Sequence, residues 1–249
     1  MNKLDMKPVK NKKAYFQIIE TFIYSIINGQ LEYGERLYNE VELMEILNVS
    51  RPTLREALRV MEFLGIVTVA PRKGIVINNP KDNNHYFPLI YILAFEKTSN
   101  TDLFELRMAI EIEMVGLAAL RGTEEDFVQV KSVLDEMSNL PRGDIKNFTR
   151  LDQLFHMSVL QCAKNDLCSK LIHTLSTLIY DQLEQIHQAL TNEKRENTIQ
   201  KHRIIYQALI DRNEQFAREI MKEHLNHAYG VTSKLPNIFL QYAENNLSP

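Results

Sequence analysis

Asp152 and His156 stand four positions apart in a stretch of helical periodicity, so their side chains stack on one face and can clamp a single ion. His202 falls early in a later helical stretch, in Gln200-Lys201-His202-Arg203-Ile204, and His224 lies near the end of the last one, in Met221-Lys222-Glu223-His224-Leu225. Three neutral imidazoles and a carboxylate suit a borderline divalent ion, zinc first, with nickel or manganese as alternatives. Four protein ligands would leave one or two positions open to water or a bound acid. Spacing alone also leaves a plainer reading open. Asp-x-x-x-His pairs arise by chance, and His173, His187 and His227 show that histidine is not scarce here, with His227 competing for the role of His224. His85 sits in a polar connecting segment and reads as solvated.

A second set of residues suggests recognition rather than coordination. The run Asn48-Val49-Ser50-Arg51-Pro52-Thr53-Leu54-Arg55-Glu56-Ala57-Leu58 follows an apolar helix bearing Val41, Leu43, Met44, Ile46 and Leu47. A short turn leads to Ser50, an oxygen-bearing N-cap candidate, and arginines fill the next helix's first turns. A helix-turn-helix presents its recognition helix in this way, because residues near that helix's N-terminus reach base edges and phosphates. Beyond Gly65, Ile66-Val67-Thr68-Val69 and Ile75-Val76-Ile77 read as strands broken by Pro71-Arg72-Lys73-Gly74, a hairpin with a basic tip. Such a wing would lie over the minor groove or the phosphate backbone.

These residues need positioning elements, and the periodicity supplies them. Tyr15, Ile18, Ile19, Phe22, Ile23, Ile26 and Ile27 mark an amphipathic helix closed by Asn28-Gly29, after a lysine-rich start. The polar, proline-containing run Asn78–Asn84 marks a boundary. We therefore expect a winged helix-turn-helix over residues 1–78, a linker over 79–85, a helical domain over 86–230 and a tail over 231–249. In the helical domain the periodicity predicts helices over 102–120, 124–138, 147–163, 166–190, 195–211 and 213–229, a bundle of six or seven. The fold class is mainly α, a winged head followed by an all-α antiparallel bundle.

Bulk properties agree with that division. The 249 residues suffice for two ordinary domains, and 45% hydrophobic with 24% charged residues is typical of a folded soluble chain. Residues 1–80 carry 11 Lys and Arg against 9 Asp and Glu, the remainder 18 against 23, so a mildly basic head sits on an acidic body. No apolar run approaches the ~18–20 residues that span a bilayer, and a cytoplasmic location with no membrane partner is expected. Cys162 and Cys168 lie six apart on a helical stretch and do not share a face, so no disulfide is expected.

Taken together, the motifs resemble the GntR family of bacterial transcription regulators, in its FadR branch with a helical C-terminal domain of FCD type. The resemblance rests on Ile27-Asn28-Gly29, Tyr33-Gly34-Glu35-Arg36-Leu37, Val49-Ser50-Arg51, Leu54-Arg55-Glu56-Ala57-Leu58, Gly65-Ile66-Val67 and Arg72-Lys73-Gly74. In the body it rests on Glu105-Leu106-Arg107 with Glu111, Asp152-x-x-Phe155-His156 with Asn165, His202-Arg203-x-Ile205 and Met221-x-x-His224-Leu225. It implies a homodimer whose winged heads read a pseudo-palindromic operator in double-stranded DNA, with bodies that bind a small organic acid. Ser50, Arg51, Thr53 and Arg55 match family DNA contacts, as does Gly74 at the wing tip beside Arg72 and Lys73. Asp152, His156, His202 and His224 match all four ligands of the metal-binding members. Arg107 matches an arginine that engages an effector carboxylate, a role suited to a forked, permanently charged guanidinium; a salt bridge to Glu111 at i+4 is its alternative.

Two departures limit what the resemblance carries. Pro52 stands where family members often have threonine, and Val41 stands where a well-studied member has a base-contacting arginine. The operator sequence is therefore not transferable, and repression or activation depends on where the operator lies relative to a promoter. Two other readings compete: a metal-dependent hydrolase fused to a DNA-binding head, and a regulator whose metal is purely structural. No separate general base or nucleophile motif accompanies the four ligands, which weighs against the hydrolase.

Overall fold

The structure is a computed structural model that describes residues 13–70, 74–80, 87–188, 192–232 and 237–238. The chain divides into two compact units, Met1–Pro88 and Leu89–Pro249.

The first unit begins with α1 (Ala14–Ile27), which buries Ile18, Ile19 and Phe22 and ends at Asn28. Gly29 follows at φ +68°, the left-handed conformation that stops a helix at little cost to glycine. Ile27 is 78% exposed and Ile23 lies at the surface, because both fall around the helix from the Ile18 and Phe22 face, so the apolar face of α1 is narrower than its isoleucines suggest. α2 (Glu40–Leu47) opens with a capping box, the Asn39 Oδ1 accepting from the amides of Val41 and Glu42 while the Glu42 carboxylate accepts from that of Asn39. It closes at Asn48 in the left-handed region. Leu43 carries the burial of α2; Val41 and Ile46 are exposed.

α3 (Arg51–Phe63) buries Leu54, Ala57, Leu58 and Met61, the i, i+3, i+4, i+7 face that holds it on α1 and α2. β1 (Val67–Ala70) and β2 (Gly74–Ile77) pair antiparallel from Val67–Ile77 to Ala70–Gly74. The segment Gly34–Leu37 adds to the free edge of β2 through backbone bonds to Ile75 and Ile77. The core of this unit joins Ile18, Phe22, Leu37, Leu43, Leu54, Met61, Val67 and Ile77.

Seven helices make up the second unit among the described residues: α4 (Phe87–Phe95), α5 (Asn100–Arg121), α6 (Glu124–Ser138), α7 (Ile145–Cys162), α8 (Asp166–Gln188), α9 (Asn192–Ile210) and α10 (Glu214–Thr232). Ser99, Thr123 and Asp144 accept bonds from first-turn amides at the starts of α5, α6 and α7. α5 runs against α7, α8, α9 and α10, and a Cβ on its Gly116 would lie 2.5 Å from the Arg218 guanidinium, so glycine lets α10 come close. Phe127, Phe148, Leu151, Phe155, Val159, Ile205, Leu209 and Met221 fill the shared core.

α5 to α10 fall within about three residues of the expected helices, α4 has no counterpart among them, and α10 runs two residues past position 230. Beyond it, Ile238 is buried and its amide bonds to Asn100 Oδ1, so part of the expected tail folds onto α5. Cys162 and Cys168 are free thiols; burial pushes Cys162 up to about 12, leaving it unreactive. No helix among the described residues is long and apolar enough to cross a membrane.

Candidate metal centre and nucleic-acid interface

Three helices of the second unit converge on one small volume. α7 contributes Asp152 and His156 from one face, α9 contributes His202, and α10 contributes His224. One candidate donor atom from each of these four residues lies within 4.8 Å of all the others. The His224 Nε2 stands 3.1 Å from that of His156 and 3.2 Å from that of His202, and Asp152 Oδ1 lies 3.5 Å from His202 Nε2. Nitrogens held about 2.0–2.1 Å from one zinc ion at tetrahedral angles stand about 3.3–3.4 Å apart. The spacing is that of ligands around a shared centre.

The surroundings set the protonation of these rings. Glu111, on α5 and 1% exposed, accepts from His156 Nδ1 at 2.5 Å. A carboxylate can only accept, so His156 carries its proton on Nδ1 and turns the Nε2 lone pair toward the cluster. Burial alone would raise Glu111, but the Arg107 guanidinium and His156 override it and hold the carboxyl at about 2. Burial and the neighbouring His156 push His224 down to about 3, and burial with the adjacent histidines pushes His202 well below its ordinary value. Both rings are neutral at pH 7 and offer lone pairs. His202 stacks on Phe155 with ring centres 4.0 Å apart, and its Nδ1 is a sealed nitrogen without a partner. A buried donor left unmade costs about 1–3 kcal/mol, which marks His202 as placed for its other ring edge. Neutral imidazoles plus one carboxylate fit a divalent ion.

Arg107 sits on α5 one turn before Glu111 and pairs with it through Nε, the alternative that the spacing left open. Its two Nη atoms have no partner among the described residues. Among the described residues His202 Nδ1 is the one side-chain atom both sealed and unpaired, so those Nη atoms are not sealed off, and the guanidinium centre lies 5.5 Å from the Phe104 ring. His187 is also buried, and its Nδ1 lies 2.8 Å from Thr149 Oγ1 on α7. His173 is exposed; His85 and the side chain of His227 lie outside the described residues.

The recognition residues are grouped in the first unit. Ser50, Arg51 and Arg55 are exposed and Thr53 is half-buried on the first turns of α3. Ser50 takes the N-cap backbone conformation, but its side chain does not cap: Pro52, at the second helical position, has no N–H to offer, and Ser50 Oγ bonds Thr53 Oγ1 at 2.8 Å. The expected side-chain cap is thus replaced by a hydroxyl pair. Glu40, which the sequence did not single out, holds both arginines, with Arg55 Nε at 3.0 Å and Arg51 Nε at 3.4 Å. Gly74 adopts φ +80° with its Cα face against the Arg36 guanidinium, as the turn into β2 requires. Arg72 and Lys73 lie outside the described residues.

The family profile described as bacterial regulatory proteins of the gntR family matches residues 14–77, and that of the FCD domain matches 102–227. The HTH-type transcriptional regulator YcbG of Bacillus subtilis is 32% identical over 89% of this chain and 91% of its own length. The chain belongs to the GntR family.

This GntR regulator is also 28% identical to LutR of Bacillus subtilis, over 84% of this chain and 96% of LutR. It is 26% identical to the Glc operon transcriptional activator of Escherichia coli K12, over 84% of each. Among solved structures, a GntR protein of Streptococcus agalactiae has the same fold, with a TM-score of 0.65 at 23% identity, covering 87% of this chain and 99% of that one. The family is one of transcription regulators, so this GntR protein is a DNA-binding regulator with an FCD domain and not the hydrolase considered above.

Proposed function

We propose that this regulator binds a pseudo-palindromic operator as a homodimer and that a small organic acid, held at a divalent ion in the FCD domain, changes its operator affinity. In this reading Arg51 and Arg55 contact guanine edges or phosphates, Ser50 and Thr53 bond phosphate oxygens, and the wing residues Arg72, Lys73 and Gly74 follow the adjacent groove. Asp152, His156, His202 and His224 hold the ion, zinc in preference to nickel or manganese. When bound, the ion supplies a Lewis-acidic anchor for a carboxylate oxygen. Arg107 offers its open Nη edge to the remaining negative charge, while Glu111 keeps the guanidinium oriented and fixes the His156 tautomer.

The single observation that carries this reading is the convergence of three imidazole Nε2 atoms and one carboxylate oxygen beside a buried arginine with an unpaired edge. A purely structural ion would not call for that edge. The name of one relative, the Glc operon transcriptional activator, agrees with control of an operon.

The test is fluorescence anisotropy of zinc-loaded protein on duplexes from around its own gene, with and without a panel of small carboxylic acids. At least one acid should shift operator affinity, and by linkage the operator should shift that acid's affinity by the same factor. An acid that binds the body yet leaves operator affinity untouched would refute the coupling.

A further inference from the structure

His187 on α8 is bonded to α7 through Thr149. On α7, Thr149 precedes Asp152 by three residues and His156 by seven, so all three share one helix face. The Thr149 hydroxyl donates to the backbone carbonyl of Ile145 one turn back, at 3.0 Å. A hydroxyl has a single proton, so toward His187 Nδ1, 2.8 Å away, Thr149 Oγ1 is left as an acceptor. His187 must then carry its proton on Nδ1, and its Nε2 is a bare lone pair. The ring also lies edge-on to Phe148 at 5.0 Å, which fixes its plane.

Nε2 has no hydrogen-bond partner among the described residues, and it is not a sealed atom, although His187 is only 5% exposed. It is therefore reachable by a small donor. The bond to Thr149 ties the ring to the α7 face that carries Asp152 and His156. Burial lowers its pKa, so the ring stays neutral at pH 7. Arg107 is tied to the same α7 face through Glu111 and His156, so a donor group and an acceptor flank it.

We infer that His187 is a specificity-determining residue of the effector site, accepting a hydrogen bond at Nε2 from an O–H donor of the bound acid, so that a hydroxy acid binds in preference to its oxo or unsubstituted counterpart. The inference rests on the proposed effector site. A ligand without a donor meets a lone pair with nothing to receive, and an oxo oxygen meets it with repulsion. Sites built around a hydrogen bond reject analogues lacking the partner strongly, because a buried polar group is left unpaired.

Two measurements on the zinc-loaded full chain test this. Long-range proton–nitrogen NMR reads the His187 tautomer without any effector: a protonated Nδ1 is expected, and a protonated Nε2 would overturn the inference. Calorimetric titration with matched 2-hydroxy, 2-oxo and unsubstituted acids of two to six carbons gives the second. The parent chain should prefer the hydroxy member by at least tenfold, and His187→Leu should reduce that preference to within about threefold. Thr149→Val, which removes the acceptor for Nδ1 while keeping volume, should also weaken the preference and keeps the test open should His187→Leu fail to fold. A parent that binds acids with no hydroxy preference, or a variant that keeps the full preference, overturns the role of His187. A parent that binds none of the acids refutes the effector site itself, and this inference with it.

Discussion

Replacing Glu111 with glutamine separates two roles that one carboxylate plays. One oxygen pairs with Arg107 and the other accepts from His156 at 2.5 Å, and the residue is 1% exposed. The substitution keeps shape but removes charge, leaving the Arg107 guanidinium, 3% exposed, without a counter-ion. Breaking a buried pair from one side costs about 3–5 kcal/mol, and the open Nη edge of Arg107 places the expected loss near 3. Removing a charged partner from a ligating histidine lowers metal affinity by about 10–100-fold, or roughly 1.4–2.7 kcal/mol. Urea unfolding of the metal-free protein reads the first quantity, and zinc competition against a chelator reads the second. Adding Arg107→Met to Glu111→Gln should recover most of the stability and none of the zinc affinity. If Glu111→Gln unfolds within about 0.5 kcal/mol of the parent, the spread of neutral surface changes, and binds zinc equally well, the assignment of Glu111 fails.

Three further outcomes are expected. The metal-free protein should lose stability as pH falls from about 6.5. His202 and His224 have folded pKa values lowered from the usual 6.5, His224 to about 3, so the unfolded chain takes up protons that the folded one refuses. While both rings refuse, the loss is roughly 2.7 kcal/mol per pH unit. Glu111, lowered to about 2, adds its own loss only between about 4.5 and 2; zinc should flatten the upper part of the curve, and a flat denaturation curve between pH 6.5 and 4 without metal would contradict the histidine environment. Arg51→Ala or Arg55→Ala should weaken operator binding, with a phosphate contact revealed by a salt slope shallower by about 1 and a base contact by relaxed specificity at one position. Glu40→Gln should raise affinity for random duplex while narrowing the ratio between operator and random DNA, because it frees both arginines; an unchanged ratio would mean that Glu40 does not orient them.

What the sequence made legible is what local periodicity encodes. The Asp152–His156 pair follows from a four-residue spacing on one helix, and the turn between α2 and α3 follows from Asn48 and its neighbours. Errors arose where a neighbour altered local chemistry. Pro52 removed one of the two amides that Ser50 could have capped, and the Ser50 hydroxyl paired with that of Thr53 instead. The partners that shape the site are distant in the chain: Glu111 lies 45 residues from His156, His187 lies 38 from Thr149, and Glu40 lies 15 from Arg55. Such pairs depend on how α5, α7 and α8 pack, and no periodicity announces them. Arg107 shows the boundary case, since its spacing to Glu111 permitted both the observed pair and an effector contact.

The central claim, that Asp152, His156, His202 and His224 form a divalent-ion site, is tested most directly by native mass spectrometry of the full chain. One ion per chain is expected after exposure to equimolar zinc, nickel and manganese, and none in a His156→Ala, His202→Ala double variant that retains its helical content. A parent chain that emerges metal-free from all three ions, or a double variant that still retains one, would contradict the account.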